Sequence, residues 1–367
     1  MALLLIFVTA LIFFGSTASP RNTFREEGLS MDLSRALRGA FALLVFTHHV
    51  YQNLSLWEPF RLLADVGPLF VGGFFFLSGY GLMVSLSRKE HYLKGFLPHR
   101  LLAVYLPFAV VTLTQVPIRI QAGAPLSPAK VWGAFLFHPM LDPNHWYVIA
   151  ILLFYLLFFF SYRWLPKAWG ILPVLTGVIG YAVLFSHLTR GQTWWYNAVF
   201  CFPAGLLLAS LPADFFRRKW RFWTFLSVIL TFITFLTAFA AGLDRRETFL
   251  WMLSHMGSVT RSHTVDHGIL ILQNMAAVLF SVSIYLFSQK IALGNRLLFF
   301  YGRISYEFYL IHGAVLFFVK KALFSSSDTL FALLSLFLST LLAWGLHALC
   351  ASLLNLFFRR KKYVSRK

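Results

Sequence analysis

Most of this chain is written for hydrocarbon. Apolar runs such as VIAILLFYLLFFF (148–160) recur along its 367 residues, and several reach the roughly 18–20 residues that a bilayer-crossing helix needs. Within a membrane every backbone amide must be bonded inside its own segment or in a closed sheet, which leaves helices and barrels. Barrel strands alternate polar and apolar residues, and these runs do not. The sequence predicts an all-α polytopic membrane protein of about ten transmembrane helices. The expected spans are 36–56, 66–86, 101–120, 145–161, 169–187, 194–211, 222–242, 266–288, 297–319 and 328–357. Only 12% of the residues are charged, about half the usual share of a soluble domain. The connections leave no room for a globular head. Residues 31–358 therefore read as one membrane domain, with a basic tail over 359–367.

The segment 1–30 is ambiguous. MALLLIFVTALIFFGSTASP is apolar but lacks the basic start of a secretory signal. A signal, an extra helix serving as an anchor, or a mis-assigned start ahead of Met31 are the expectations, followed by a basic linker.

The formal charge of +19 could suggest nucleic acid, but its distribution points elsewhere. With the chain before the first span placed inside, nine basic residues fall outside: Arg61, Arg119, Lys130, Arg190, Arg245, Arg246, Arg261, Lys320 and Lys321. The other 23 of the 32 fall inside. That is the positive-inside pattern. It predicts a multi-pass protein of the cytoplasmic membrane with a cytoplasmic C-terminus. Lipid is the expected partner, and nucleic acid is not. Cys201 and Cys350 both lie in apolar runs and read as packing residues. His263, Asp266 and His267 have ligand-like spacing but no fourth ligand, so no metal is predicted.

The stretch RGAFALLVFTHHVY (38–51) puts ionisable groups inside a predicted span, where they mark function by default. Eleven helical steps separate Arg38 from His49, close to three full turns, so the two share a face about 16 Å apart. His48 falls about 80° off that line. Helix geometry selects His49 as the partner of Arg38, on a stripe able to line a passage. Arg38 taken alone would read first as a snorkelling interfacial anchor, and its alignment with His49 brings the functional reading level with that one.

DLSRALRGAFALLVFTHH (32–49) resembles the first-helix signature of the acyltransferase-3 family, an arginine and a histidine separated by ten residues. FFFLSGYGL (74–82), NHWYVIAILLFY (144–155) and GRISYEFYLIH (302–312) are similar to further motifs of that family, in its order. The resemblance implies a ten-helix membrane acyltransferase. Its donor would be cytoplasmic acyl-coenzyme A, commonly acetyl-CoA, and its acceptor a hydroxyl of an extracytoplasmic glycan, glycolipid or related molecule. His49 would take the hydroxyl proton, since a neutral imidazole serves as a general base. Arg38 and Arg100 would hold the phosphates of coenzyme A. The family often carries a second arginine three residues after the first on the third helix. Here that position is Ala103, so His99, Lys94 or Lys89 is expected to substitute.

The remaining candidates have structural readings beside functional ones. Tyr301, Ser305 and His312 lie within about 40° on one helical face, with His312 at a depth similar to that of His49. A hydrogen bond between helices competes with catalysis for His312. Ser305 and Tyr306 belong to the same late motif. Glu307 is expected to pair with an inner arginine or to hold a proton. Ser78 would bond backbone or donor. Gly72, Gly73, Gly79 and Gly81 would allow close helix approach. Asp142, His145 and Trp146 form an outer cluster suited to a sugar ring, although Trp146, Trp194 and Trp195 also fit an interfacial aromatic belt. A transporter or flippase without acyl-transfer chemistry would use similar intramembrane polar groups. No inverted repeat or interrupted helix pair is apparent to favour it.

Overall fold

The computed structural model describes residues 2–20, 23–25, 29–54, 63, 65–121, 127–137, 141–189, 192–212, 214–242, 263–322 and 327–364. The elements are α1 (Ala2–Phe13), α2 (Met31–Gln52), α3 (Gly67–Arg88), α4 (Phe96–Gln121), α5 (Pro128–Phe135), α6 (Trp146–Trp164), α7 (Ile171–Leu188), α8 (Cys201–Ser210), α9 (Asp214–Arg217), α10 (Trp220–Gly242), α11 (His263–Ser288), α12 (Arg296–Arg303), α13 (Ser305–Ala322) and α14 (Asp328–Val364). The two-residue strands β1 (Thr17–Ala18) and β2 (Ile291–Ala292) pair antiparallel. Seven described helices are long and apolar enough to cross a bilayer, which makes this an all-α polytopic membrane protein. Large apolar side chains such as Phe225, Phe232 and Phe337 remain exposed on α10 and α14, the surface that lipid would solvate.

The other three expected spans differ in instructive ways. The first is present as α2, but Asp32, Arg35 and Arg38 lower its apolarity. It is nevertheless enclosed on nearly every side by α3, α12 and α13. The run 194–211 yields a 3-10 turn, Thr193–Trp195, and only ten α-helical residues, about 15 Å of rise. The run 297–319 is broken at Ile304 into α12 and α13. There the Ser305 hydroxyl donates to the Gly302 carbonyl at 3.2 Å, a side-chain bond of the kind that bends helices. Tyr301 thus belongs to a different helix from Ser305 and His312, and its hydroxyl meets Thr340 on α14 at 2.9 Å.

Glycine pairs set two helix crossings. A Cβ on Gly39 would run into the Leu298 carbonyl oxygen, and one on Gly302 into that of Arg35, so α2 and α12 touch backbone to backbone. Gly79 and Gly205 do the same for α3 and α8. Such contacts let membrane helices gain dispersion and weak backbone interactions where lipid offers no hydrophobic drive. Gly72 and Gly73 are also closely faced, whereas Gly81 has open space around it.

The N-terminal segment packs into this assembly. Leu4, Val8 and Ile12 are buried against α2 and α12, and the Asn295 amide donates to the carbonyls of Leu11 and Phe14. At 12 residues α1 rises about 18 Å, short of the roughly 30 Å hydrocarbon core.

Candidate active site

Ser30 caps α2 by accepting from the Leu33 amide, and the helix then runs unbroken through both histidines. They diverge as helical rotation demands. The His48 Nδ1 donates to the Leu63 carbonyl at 3.2 Å while its ring lies against Gly67. His49 instead lines a pocket of about 480 Å³ with Gln52, Gln115, Asp142, Asn144 and the α13 residues Gly313 and Phe317. Its Nδ1 lies 3.0 Å from the Gln52 side-chain oxygen. An oxygen there makes Nδ1 the protonated nitrogen and leaves a lone pair on Nε2.

α13 brings His312 beside it, with ring centroids 5.0 Å apart at 36°. The His312 Nδ1 donates to the Phe308 carbonyl at 3.1 Å, one turn back. Its Nε2 is buried and has no hydrogen-bond partner among the described residues. Both imidazoles therefore present an unprotonated Nε2.

Of the three acceptor-binding candidates, Asp142 alone lines the pocket. It caps a 3-10 turn, Pro143–His145, by accepting from the Asn144 amide at 2.8 Å. His145 is turned inward, its ring edge-on to Phe108 at 5.1 Å and its Nε2 buried with no hydrogen-bond partner among the described residues. Trp146 is packed among Phe75, Tyr147 and Trp195, in the interior rather than in an interfacial belt. Trp195 is buried as well, whereas Trp194 is exposed.

At the opposite end of α2, Arg38 is half-buried with Tyr155, Tyr147 and Arg100 as electrostatic neighbours, and among the described residues it forms no ion pair. The Arg100 guanidinium donates to the Tyr92 hydroxyl at 3.1 Å and lies 5.9 Å from the Tyr155 ring centre. Ser78 is half-buried on α3, near the Tyr147 phenol. His99 is exposed, bonded to the Gly95 carbonyl and stacked on Phe358 at 4.0 Å. Lys94, Lys89 and Ala103 are exposed.

Two other residues of the late motif, Tyr306 and Glu307, reach across to neighbouring helices. The Tyr306 hydroxyl donates to the Val104 carbonyl at 2.7 Å, tying α13 to α4. Among the described residues Glu307 pairs with no arginine; its carboxylate lies 2.9 Å from the His347 Nδ1 on α14. His347 was visible only as a lone imidazole in an apolar run. Gln52 was not singled out in the sequence, Asn144 only as the head of the 144–155 motif and Arg119 only as an outer basic residue, since their meeting in one pocket depends on which helices come together. The side chains of His263, Asp266 and His267 lie outside the described residues.

Between the two ends the shared stripe of α2 carries Ala42 and Val45, both buried, so it is packed rather than lining open space. A column of rings runs alongside: Tyr147 to Tyr309 at 5.3 Å, Tyr309 to His312 at 5.7 Å, then His49.

The described residues of this multi-pass helical membrane protein thus set two basic side chains, Arg38 and Arg100, at one end of α2 and two imidazoles, His49 and His312, at the other. Sequence comparison gives this architecture a family. A family model described as an acyltransferase domain matches residues 31–348, and the chain belongs to that family, the acyltransferase-3 family of membrane acyltransferases. It is thus a transferase of acyl groups, with a donor of the acyl-coenzyme A type in general. Searches of curated proteins and of solved structures return no match.

Proposed function

We propose that the protein is an O-acyltransferase that moves an acyl group, acetyl foremost, from cytoplasmic acyl-coenzyme A to a hydroxyl of an extracytoplasmic glycan, glycolipid or related molecule. The observation that carries this reading is His49, held by Gln52 at the floor of the pocket with His312 against it. The acceptor hydroxyl would enter that pocket and give its proton to Nε2 of His49 as its oxygen bonds to the thioester carbon. The carbon–sulfur bond then breaks, and coenzyme A leaves as the thiol after taking up a proton. His312, with an Nε2 that has no hydrogen-bond partner among the described residues, would relay to the departing thiolate the proton that His49 took from the hydroxyl. The charge pattern supports placing the Arg38 end in the cytoplasm. Arg38 and Arg100 offer two cations in an aromatic setting for the donor's phosphates. His99, exposed and stacked, and Lys94 would extend that surface.

Because Ala42 and Val45 are packed, the thioester reaches His49 only if rings of the Tyr147–Tyr309 column swing aside. The test is release of free coenzyme A and transfer of radiolabel from acetyl-coenzyme A by the purified protein in lipid nanodiscs with hydroxyl acceptors. His49→Ala should abolish transfer while leaving donor binding intact, and Arg38→Gln should weaken donor binding. A His49→Ala variant with wild-type turnover overturns the assignment. A protein that moves substrate across the bilayer without consuming thioester would be a transporter or flippase instead.

A further inference from the structure

We propose that the pocket over His49 selects acceptors bearing an oxyanion, a carboxylate or a phosphate, which Arg119 and Lys320 hold while a hydroxyl of the same molecule faces the imidazole. The inference rests on the acyl-transfer reading above and adds the charge class of the acceptor.

Basic residues are sparse at this end of the molecule. Nine of 32 are expected on this side, yet Arg119, Lys320 and Lys321 all line the same pocket. They arrive on two helices, Arg119 in the last turn of α4 and the lysines in the last turn of α13. The helix dipole explains a cation at one helix end. It does not explain two helix ends converging on one cavity. Arg119 donates to the Leu141 carbonyl and lies 5.1 Å from the Phe317 ring centre. The Lys320 ammonium donates to the Asn53 carbonyl at 2.8 Å. Carbonyl and aromatic contacts fix these heads without neutralising them. The lining holds one acid, Asp142, against the three cations Arg119, Lys320 and Lys321, so its formal charge stays positive. A neutral sugar would need only the amide groups of Gln52, Asn53 and Asn144. Two fixed cations beside the proton acceptor recognise an anion.

Calorimetric titration of the full chain in zwitterionic nanodiscs with methyl glucoside, methyl glucuronide and glucose 6-phosphate tests the proposal. At least one charged sugar should bind about tenfold tighter than the neutral one, the scale of one charge-assisted hydrogen bond. The tighter arm tells carboxylate from phosphate. The advantage should shrink as salt rises, and Arg119→Gln and Lys320→Gln should each erode it. Lys130→Gln, at an exposed site outside the pocket, should not. Lys320→Gln and the salt titration stand on their own if Arg119→Gln disturbs packing on Phe317. Equal affinity for all three sugars, binding of none, or an advantage that survives both substitutions overturns the proposal. Coenzyme A release is measured separately, so failure of the transfer reading is told apart from failure of the charge preference.

Discussion

The crossing of α2 and α12 offers a sharp physical test, because each helix presents a glycine to the other's backbone. A Cβ placed on Gly302 would collide with the Arg35 carbonyl oxygen and lie 2.8 Å from its carbonyl carbon. One placed on Gly39 would collide with the Leu298 carbonyl oxygen and lie 2.9 Å from the Gly302 nitrogen. Backbone atoms cannot rotate away as a side chain can, so the helices must separate. A gap of about 0.5–1 Å forfeits a quarter to a half of each dispersion contact along the seam. Overpacking of this kind costs about 1–3 kcal/mol, against a gain of up to about 1 kcal/mol in helix propensity on replacing glycine by alanine. With backbone atoms as the obstacle the cost falls at the upper end of that range, so the expected net loss for Gly39→Ala or Gly302→Ala is up to about 2 kcal/mol. Gly81, with nothing within 4 Å of its Cβ position, is the control. Gly81→Ala should hold or raise stability, because propensity acts there unopposed. Thermal unfolding in nanodiscs, followed by intrinsic fluorescence, should place both crossing variants several degrees below wild type and Gly81→Ala at or above it. Residues 35 and 39 flank Arg38, so donor affinity should fall with stability in the crossing variants. Gly302→Ala melting with wild type, or Gly81→Ala falling as far, would refute the close-packing argument.

Other expectations concern the site. Gln52→Leu removes the oxygen that holds the His49 Nδ1, and the turnover number should fall about tenfold with little change in acceptor KM; unchanged turnover would show that the tautomer is set elsewhere. Gly313→Ala would bring a Cβ to 2.6 Å from Asp142 Oδ2 and 2.7 Å from Asn144 Nδ2. It should therefore raise acceptor KM, and unaltered kinetics would mean that this wall is not used. Glu307→Gln should cost about 1–3 kcal/mol of stability through its contact with His347. The same substitution in a His347→Ala background should cost less, and strict additivity of the two would deny the coupling.

What could be read in advance follows the range of each interaction. Rotation per residue is a local property, so the divergence of His48 from His49 was available from the sequence, and α2 realises it. Proximity between helices is not local. The meeting of His49 with His312 was suggested only as a similarity of depth, and the pairing of Glu307 with His347 was not anticipated. Trp146 shows the error in reading an aromatic at a predicted helix start as interfacial. The helix starts where expected, but the neighbouring 3-10 segment at Thr193 brings Trp195 over it.

The apolar runs fixed the solvent, and the absence of water inside a bilayer left helices as the only outcome for segments of that length and pattern. Charge asymmetry and the spacing of Arg38 and His49 were likewise legible, because they depend on counting along one chain. Packing alone decided that α2 is the enclosed helix, that the ninth run breaks at Ile304, and that three scarce cations share one cavity with His49. Those outcomes depend on backbone approach at a few glycines and on side chains far apart in sequence. No property of a single segment encodes them.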